Sequence, residues 1–122
     1  IKKRLPPHAQ LVCPLALGGH VDHRLPRIAA EALGYPLWYY ADYPYVASHQ
    51  INVRAWLGPG WRRRQYPVSP PALAAWQAGI AAYRSQLSSF WRSPEQMRAA
   101  MAQYLADGGN ALWRRLPATG MG

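Results

Sequence analysis

"AQLVCPLALGGHVDHRLPRIAAEALGYPLWYY", residues 9–40, is the stretch that decides the fold. Residues 9–13 (AQLVC) form a short apolar run ended by Pro14, the pattern of a buried strand. A loop follows over residues 15–19. Leu25, Ile28, Ala29, Ala32 and Leu33 then fall at i, i+3, i+4, i+7 and i+8, one apolar face of a helix. Gly34 is a C-terminal stop, and Pro36 reinforces it. Pro26 is harmless only in a first turn, where its missing N–H has no partner to lose. The helix is therefore predicted to start near Asp22 or His23, or to kink at Pro26. Residues 37–40 (LWYY) are a second buried strand. Strand, helix and strand in this order make a βαβ unit and imply a parallel sheet. Ligands of such sheets bind beyond the carboxyl ends of the strands. GGHVDH at 18–23 and DYPY at 42–45 both lie at such ends.

Downstream, residues 51–57 (INVRAWL) and 61–68 (WRRRQYPV) flank Gly58-Pro59-Gly60 and predict a hairpin. Ser69 with Pro70 opens a long helix. Its apolar positions are Leu73, Trp76, Ile80, Tyr83, Leu87 and Phe90, and that stripe predicts close packing. Ser93-Pro94-Glu95-Gln96 is a second start signal of capping-box type. Met97, Met101, Tyr104 and Leu105 line the helix after it, and Gly108-Gly109 end it. Residues 111–116 (ALWRRL) predict a last strand.

A chain of 122 residues has room for one domain with a real core. No apolar run approaches the ~20 residues of a membrane span. The single cysteine, Cys13, excludes an internal disulfide and suits a reducing cytoplasm. The formal charge of +9 invites a nucleic-acid reading. Only residues 2–4 and Arg62 to Arg64 form basic runs, however, so scattered surface arginine is favoured and no nucleic-acid partner is expected.

In GGHVDH, Gly18 and Gly19 let the backbone approach a ligand or take positive φ. His20 and His23 share a face in a helical first turn. Asp22 can hold a histidine ring by a hydrogen bond and so fix its tautomer. The helix N-terminus favours a developing anion. These are parts of a hydrolytic zinc site, although two histidines can equally sit idle at a helix start. Two histidines do not close a catalytic zinc site, which takes three protein ligands and water.

The stretch "CPLALGGHVDHRLPRIAAEALGYPLWYYADYPYV", with "AAYRSQLSSFW" further on, resembles the C-terminal half of the PIG-L (LmbE-like) deacetylase family. The match is most specific at His20-Val21-Asp22-His23 and over residues 40–45. The resemblance implies an α/β fold, a partial three-layer Rossmann-like parallel sheet lacking its N-terminal half. Residues 1–122 would then be the C-terminal portion of one deacetylase domain. It implies a zinc-dependent N-deacetylase that hydrolyses the N-acetyl amide of an amino sugar or related glycoconjugate with metal-activated water. His23 becomes a zinc ligand. His20 faces the reacting carbonyl, and Asp22 orients a histidine. Gly19, Asp42 and Tyr43 are expected at the substrate pocket, where the Asp42 carboxylate either binds substrate hydroxyls or is simply a turn residue before Pro44.

The family's first signature, His-Pro-Asp-Asp-Glu, is absent. The aspartates are Asp22, Asp42 and Asp107, and none follows a His-Pro pair. The remaining zinc ligands and the general base are thus expected outside this chain, which begins at Ile1 and reads as a fragment of a complete enzyme or a split or decayed gene. This chain alone is expected to be inactive. The rival reading is a non-catalytic basic module for nucleic acid or a partner protein, with Trp56, Trp61 and Arg62 to Arg64 at its surface. The expected compartment is the cytoplasm, with no membrane association.

Overall fold

The computed structural model describes residues 4–117. The chain divides into two compact units. The first runs to Arg64 and resumes at Ala111, and the second is Gln65–Asn110.

In the first unit, β1 (Leu11–Pro14) leads through a loop to α1 (Val21–Ala32), and β2 (Leu37–Tyr40) follows. β1 and β2 pair in parallel, with Cys13 opposite Tyr39 and Pro14 opposite Tyr40. The βαβ unit expected from residues 9–40 is present. Two short helices come next, α2 (Tyr45–Ser48) and α3 (Val53–Leu57), and then β3 (Trp61–Gln65). The last strand, β4 (Ala111–Arg115), pairs with β2 in antiparallel fashion, Tyr39 opposite Trp113. The sheet order is β1-β2-β4-β3. The architecture is mixed α/β with a four-stranded mixed sheet. The parallel sheet foreseen from the sequence is therefore corrected at β4, which runs against β2.

Cys13, Tyr39 and Trp113 share one row of the register, so their side chains lie on one face of the sheet. With Leu15 they form the buried core of this unit, and Ala30, Val53, Leu57 and Trp61 pack against it. Tyr39 meets the Trp61 ring edge-on at 5.3 Å. Neighbouring positions alternate to the other face, where Val12 is exposed and Trp38 is covered by the Arg114 guanidinium at 5.6 Å.

The apolar stripe of α1 is real, but it does not face the sheet. Leu25 is 60% exposed and Ile28 is 59% exposed. The sheet-facing side carries His23, Arg27 and Ala30 instead. Arg27 donates to the Leu15 carbonyl at 2.9 Å and stacks over the Tyr39 ring at 5.1 Å. Its Nε lies 3.4 Å from Glu31, whose other carboxylate oxygen accepts from the Tyr39 hydroxyl at 2.8 Å. An Arg–Glu–Tyr brace thus ties the helix to Tyr39 of β2. α1 also continues through Pro26, which lies beyond the first turn. The ring removes the amide that the Asp22 carbonyl would receive, a loss that an exposed position passes to water.

The hairpin expected over residues 51–68 is half right. Its first arm is helix α3, because the Asn52 side chain caps it by accepting from the Ala55 amide at 3.0 Å. Gly58, at φ 74°, ends that helix. Only the second arm is a strand, and Leu116 donates back to the Gly60 carbonyl at 2.7 Å.

In the second unit, α4 (Pro70–Ala81) begins where Ser69 accepts from the Ala72 amide at 3.2 Å. The helix expected to run on to Phe90 stops at Ala82. A separate turn, α5 (Arg84–Leu87), follows, and Tyr83 between them is 70% exposed. α6 (Pro94–Ala106) starts as foreseen, with Ser93 accepting from the Gln96 amide at 3.1 Å and Gln96 accepting from the Arg92 amide. Met97 and Met101 on its inner face are wholly buried.

Candidate functional site

The site lies where β1 and β2 end side by side. Because the two strands are parallel, the loop after Pro14 and the segment after Tyr40 leave the same edge of the sheet. Leu15 donates to the Tyr40 carbonyl at 2.9 Å and carries the pairing one step further. Asp42 follows on one side, and Gly18, Gly19 and the start of α1 on the other.

Asp42 is buried, its side chain without solvent exposure. One carboxylate oxygen accepts from the Leu17 amide at 2.6 Å. The other lies 3.1 Å from Nδ1 of His23. That oxygen and that ring nitrogen are both shut off from solvent and lie within ion-pair distance of each other, yet neither has a hydrogen-bond partner. A buried carboxylate without partners is costly to maintain. Here the Leu17 amide supplies one hydrogen bond, and the His23 ring nitrogen gives only close contact to the second oxygen.

His20 is held differently. It is the N-cap of α1, and its Nδ1 accepts from the Asp22 amide at 3.2 Å. The Asp22 carboxylate is 3.8 Å from the same nitrogen, and its side chain is 78% exposed. Asp22 therefore serves His20 through its main chain. The carboxylate that closely meets a histidine ring is Asp42, meeting His23. The Asp42 carboxylate expected to bind substrate hydroxyls instead lies closed to solvent beneath His23.

The two histidine rings stand 5.7 Å apart, centroid to centroid. Tyr45 packs against both, at 5.6 Å from His23 in an edge-on arrangement and at 6.3 Å from His20. Gly18 makes this possible. A Cβ there would come within 3.2 Å of the Tyr45 ring. Gly19 turns the chain into α1 at φ +68°, a conformation that side-chain-bearing residues resist, and its Cβ position is open space. Tyr43 is half-buried at the same edge. Of the residues singled out in the sequence, Gly19, His20, Asp22, His23, Asp42 and Tyr43 all gather at this edge. Tyr45 and the Asp42–His23 contact were missed. The quoted DYPY string held both residues, but only the strand pairing shows which histidine they meet.

Beneath the site, Cys13 is buried, and its thiol is pushed up to about 11 by burial first and then by the Glu31 carboxylate, with Arg27 opposing. Burial and the hydrogen bond to Glu31 likewise push the Tyr39 hydroxyl up to about 12. Both groups are neutral supports at ordinary pH. Among the described residues, no three His, Cys, Asp or Glu side chains converge on a point that could hold a metal ion. Also among them, no helix is long and apolar enough to cross a membrane.

No protein family, curated protein or solved structure was found to match this chain. The deacetylase resemblance therefore stands on the quoted motifs alone.

Proposed function

We propose that this chain contributes one half of a zinc-dependent N-deacetylase site acting on the acetyl amide of an amino sugar or related glycoconjugate. The observation that carries the reading is the buried Asp42 carboxylate 3.1 Å from Nδ1 of His23. A carboxylate behind one ring nitrogen is the usual support of a metal-ligating histidine and leaves the other nitrogen to bind. Zinc in such a site supplies an activated water as the nucleophile. A catalytic zinc takes three protein ligands, so two ligands and the general base come from outside the described residues.

The chain's own residues divide the remaining work. His23 offers Nε2 to the metal. His20 takes a hydrogen-bond-donating role, because its Nδ1 already accepts the Asp22 amide and its Nε2 is left as the N–H. That N–H hydrogen-bonds the developing oxyanion. The N-terminus of α1, a helix of 12 residues, adds a favourable partial charge for the same anion. Tyr45 packs against both rings. The lone, buried Cys13 suits a reducing cytoplasm.

The test is acetate release from N-acetylglucosamine conjugates by the protein that carries this segment, with and without zinc and a chelator. Zinc-dependent release that chelation abolishes is expected. Amide hydrolysis indifferent to chelator, or none in a protein with bound zinc, refutes the reading.

A further inference from the structure

We infer that Asp42 is a positioning residue that locks His23 in the Nδ1–H tautomer while the N-cap bond locks His20 in the Nε2–H tautomer, so that adjacent rings present opposite chemistry. Each neutral imidazole has one donor and one acceptor nitrogen, and the partner of one fixes the state of the other. A carboxylate oxygen of Asp42 lies 3.1 Å from Nδ1 of His23, outside hydrogen-bond geometry, and its negative charge beside that buried nitrogen favours a proton there over a lone pair. The Nε2 of His23 is then a bare lone pair. The Asp22 amide faces Nδ1 of His20 and can only donate, so that nitrogen is bare and Nε2 carries the proton. One ring offers a lone pair and its neighbour 5.7 Å away offers a hydrogen-bond donor. The use of the His23 lone pair for zinc rests on the proposed deacetylase reading. The tautomers themselves do not.

The surroundings of Asp42 sharpen the consequence. Its second oxygen accepts from the Leu17 amide at 2.6 Å, a bond that demands an acceptor. In Asp42→Asn the carboxamide oxygen must stay on that amide, and the NH2 then points at His23. An NH2 group donates, so Nδ1 of His23 must accept and its proton moves to Nε2. The substitution keeps size and shape but inverts the ring. A purely structural role for Asp42 predicts no such inversion.

The experiment is long-range ¹H–¹⁵N correlation of the histidine rings at a pH where imidazole is ordinarily neutral, about 8.5. The protein is the full chain without metal, and His20→Gln and His23→Gln variants assign the signals. In the wild type, His23 is expected to show Nδ1–H with bare Nε2, and His20 the reverse. Any other state of His23 overturns the inference, without recourse to a variant. In Asp42→Asn, His23 should read Nε2–H while His20 is unchanged, and retention of Nδ1–H overturns it. Zinc titration separates the two proposals. In the protein that carries this segment, zinc should bind the wild type about 10–100-fold more tightly than Asp42→Asn, the scale of lost partners behind metal ligands. Expected tautomers with no zinc binding refute the deacetylase reading and leave this one standing. Zinc binding with an uninverted Asp42→Asn ring refutes this one alone.

Discussion

Replacing Leu15 and Leu25 separately by alanine sets the periodicity of α1 against its actual orientation. The sequence pattern places Leu25 on the face that should be buried, whereas the structure leaves it 60% exposed and Leu15 only 1% exposed. Leu15 sits in the core cluster with Cys13, Tyr39 and Trp113. Truncating so buried a leucine loses its transfer free energy and opens a cavity, about 2.5–5 kcal/mol together. Full burial of a leucine side chain is worth about 1.5–3 kcal/mol. Leu25 keeps about two-fifths of that burial, hence about 0.6–1.2 kcal/mol, and alanine's better helix propensity returns a few tenths. The net cost is under about 1 kcal/mol. Urea denaturation followed by tryptophan fluorescence reads the difference, since Trp38, Trp61 and Trp113 all belong to the sheet. With a slope of about 2 kcal/mol per molar, Leu15→Ala should lower the midpoint by about 1–2.5 M and Leu25→Ala by less than about 0.5 M. Equal shifts for the two variants would refute the orientation of α1.

Three further outcomes are expected. In the zinc-loaded protein carrying this segment, His23→Ala should lose zinc and activity together. His20→Ala should keep zinc and lower kcat by about 10²–10³ with little change in KM, as for one lost oxyanion donor; elemental analysis beside steady-state kinetics decides, and loss of zinc from His20→Ala reverses the two roles. Cys13, raised from 9.0 to about 11, should resist alkylation by iodoacetamide at pH 8. Because the folded value is the higher one, its stabilising share is whole below pH 9 and is lost as pH rises through 11, which a set of melting curves from pH 8 to 11 checks. Gly19→Ala should cost about 1–2 kcal/mol from the positive φ alone, since no clash awaits its Cβ, and a loss below about 0.5 kcal/mol in thermal unfolding would show that the turn relaxes freely.

Residues 9–40 and the helix starts were legible from sequence because their signals are local. An apolar run ended by proline, a 3.6-residue period stopped by Gly34, and Ser69 or Ser93 one residue before a proline each act within a turn or two of chain. The helix starts are capped as foreseen, with Ser93 accepting from the Gln96 amide. The histidine pair was legible too, because three-residue spacing at a helix start puts two rings on one side. The first arm of the supposed hairpin failed on the same local ground, where the Asn52 cap outweighed the apolar run after it.

What only the tertiary structure decided is which side of each element meets which partner. A period in sequence defines a stripe on α1 but not its rotation about the helix axis. In the structure that stripe faces outward, and Arg27 and Glu31 meet Tyr39 on the inner side instead. Strand-like residues at 111–115 carry no direction, and the antiparallel pairing of β4 with β2 comes from the path of the chain that returns it. Asp42 and Asp22 are equally acidic in sequence, and Asp22 is the nearer to both histidines. The parallel register of β1 and β2 nevertheless buries Asp42 under His23 and leaves the Asp22 carboxylate in water, because a buried ion needs partners from two strand ends and a helix start has an exposed side to spare.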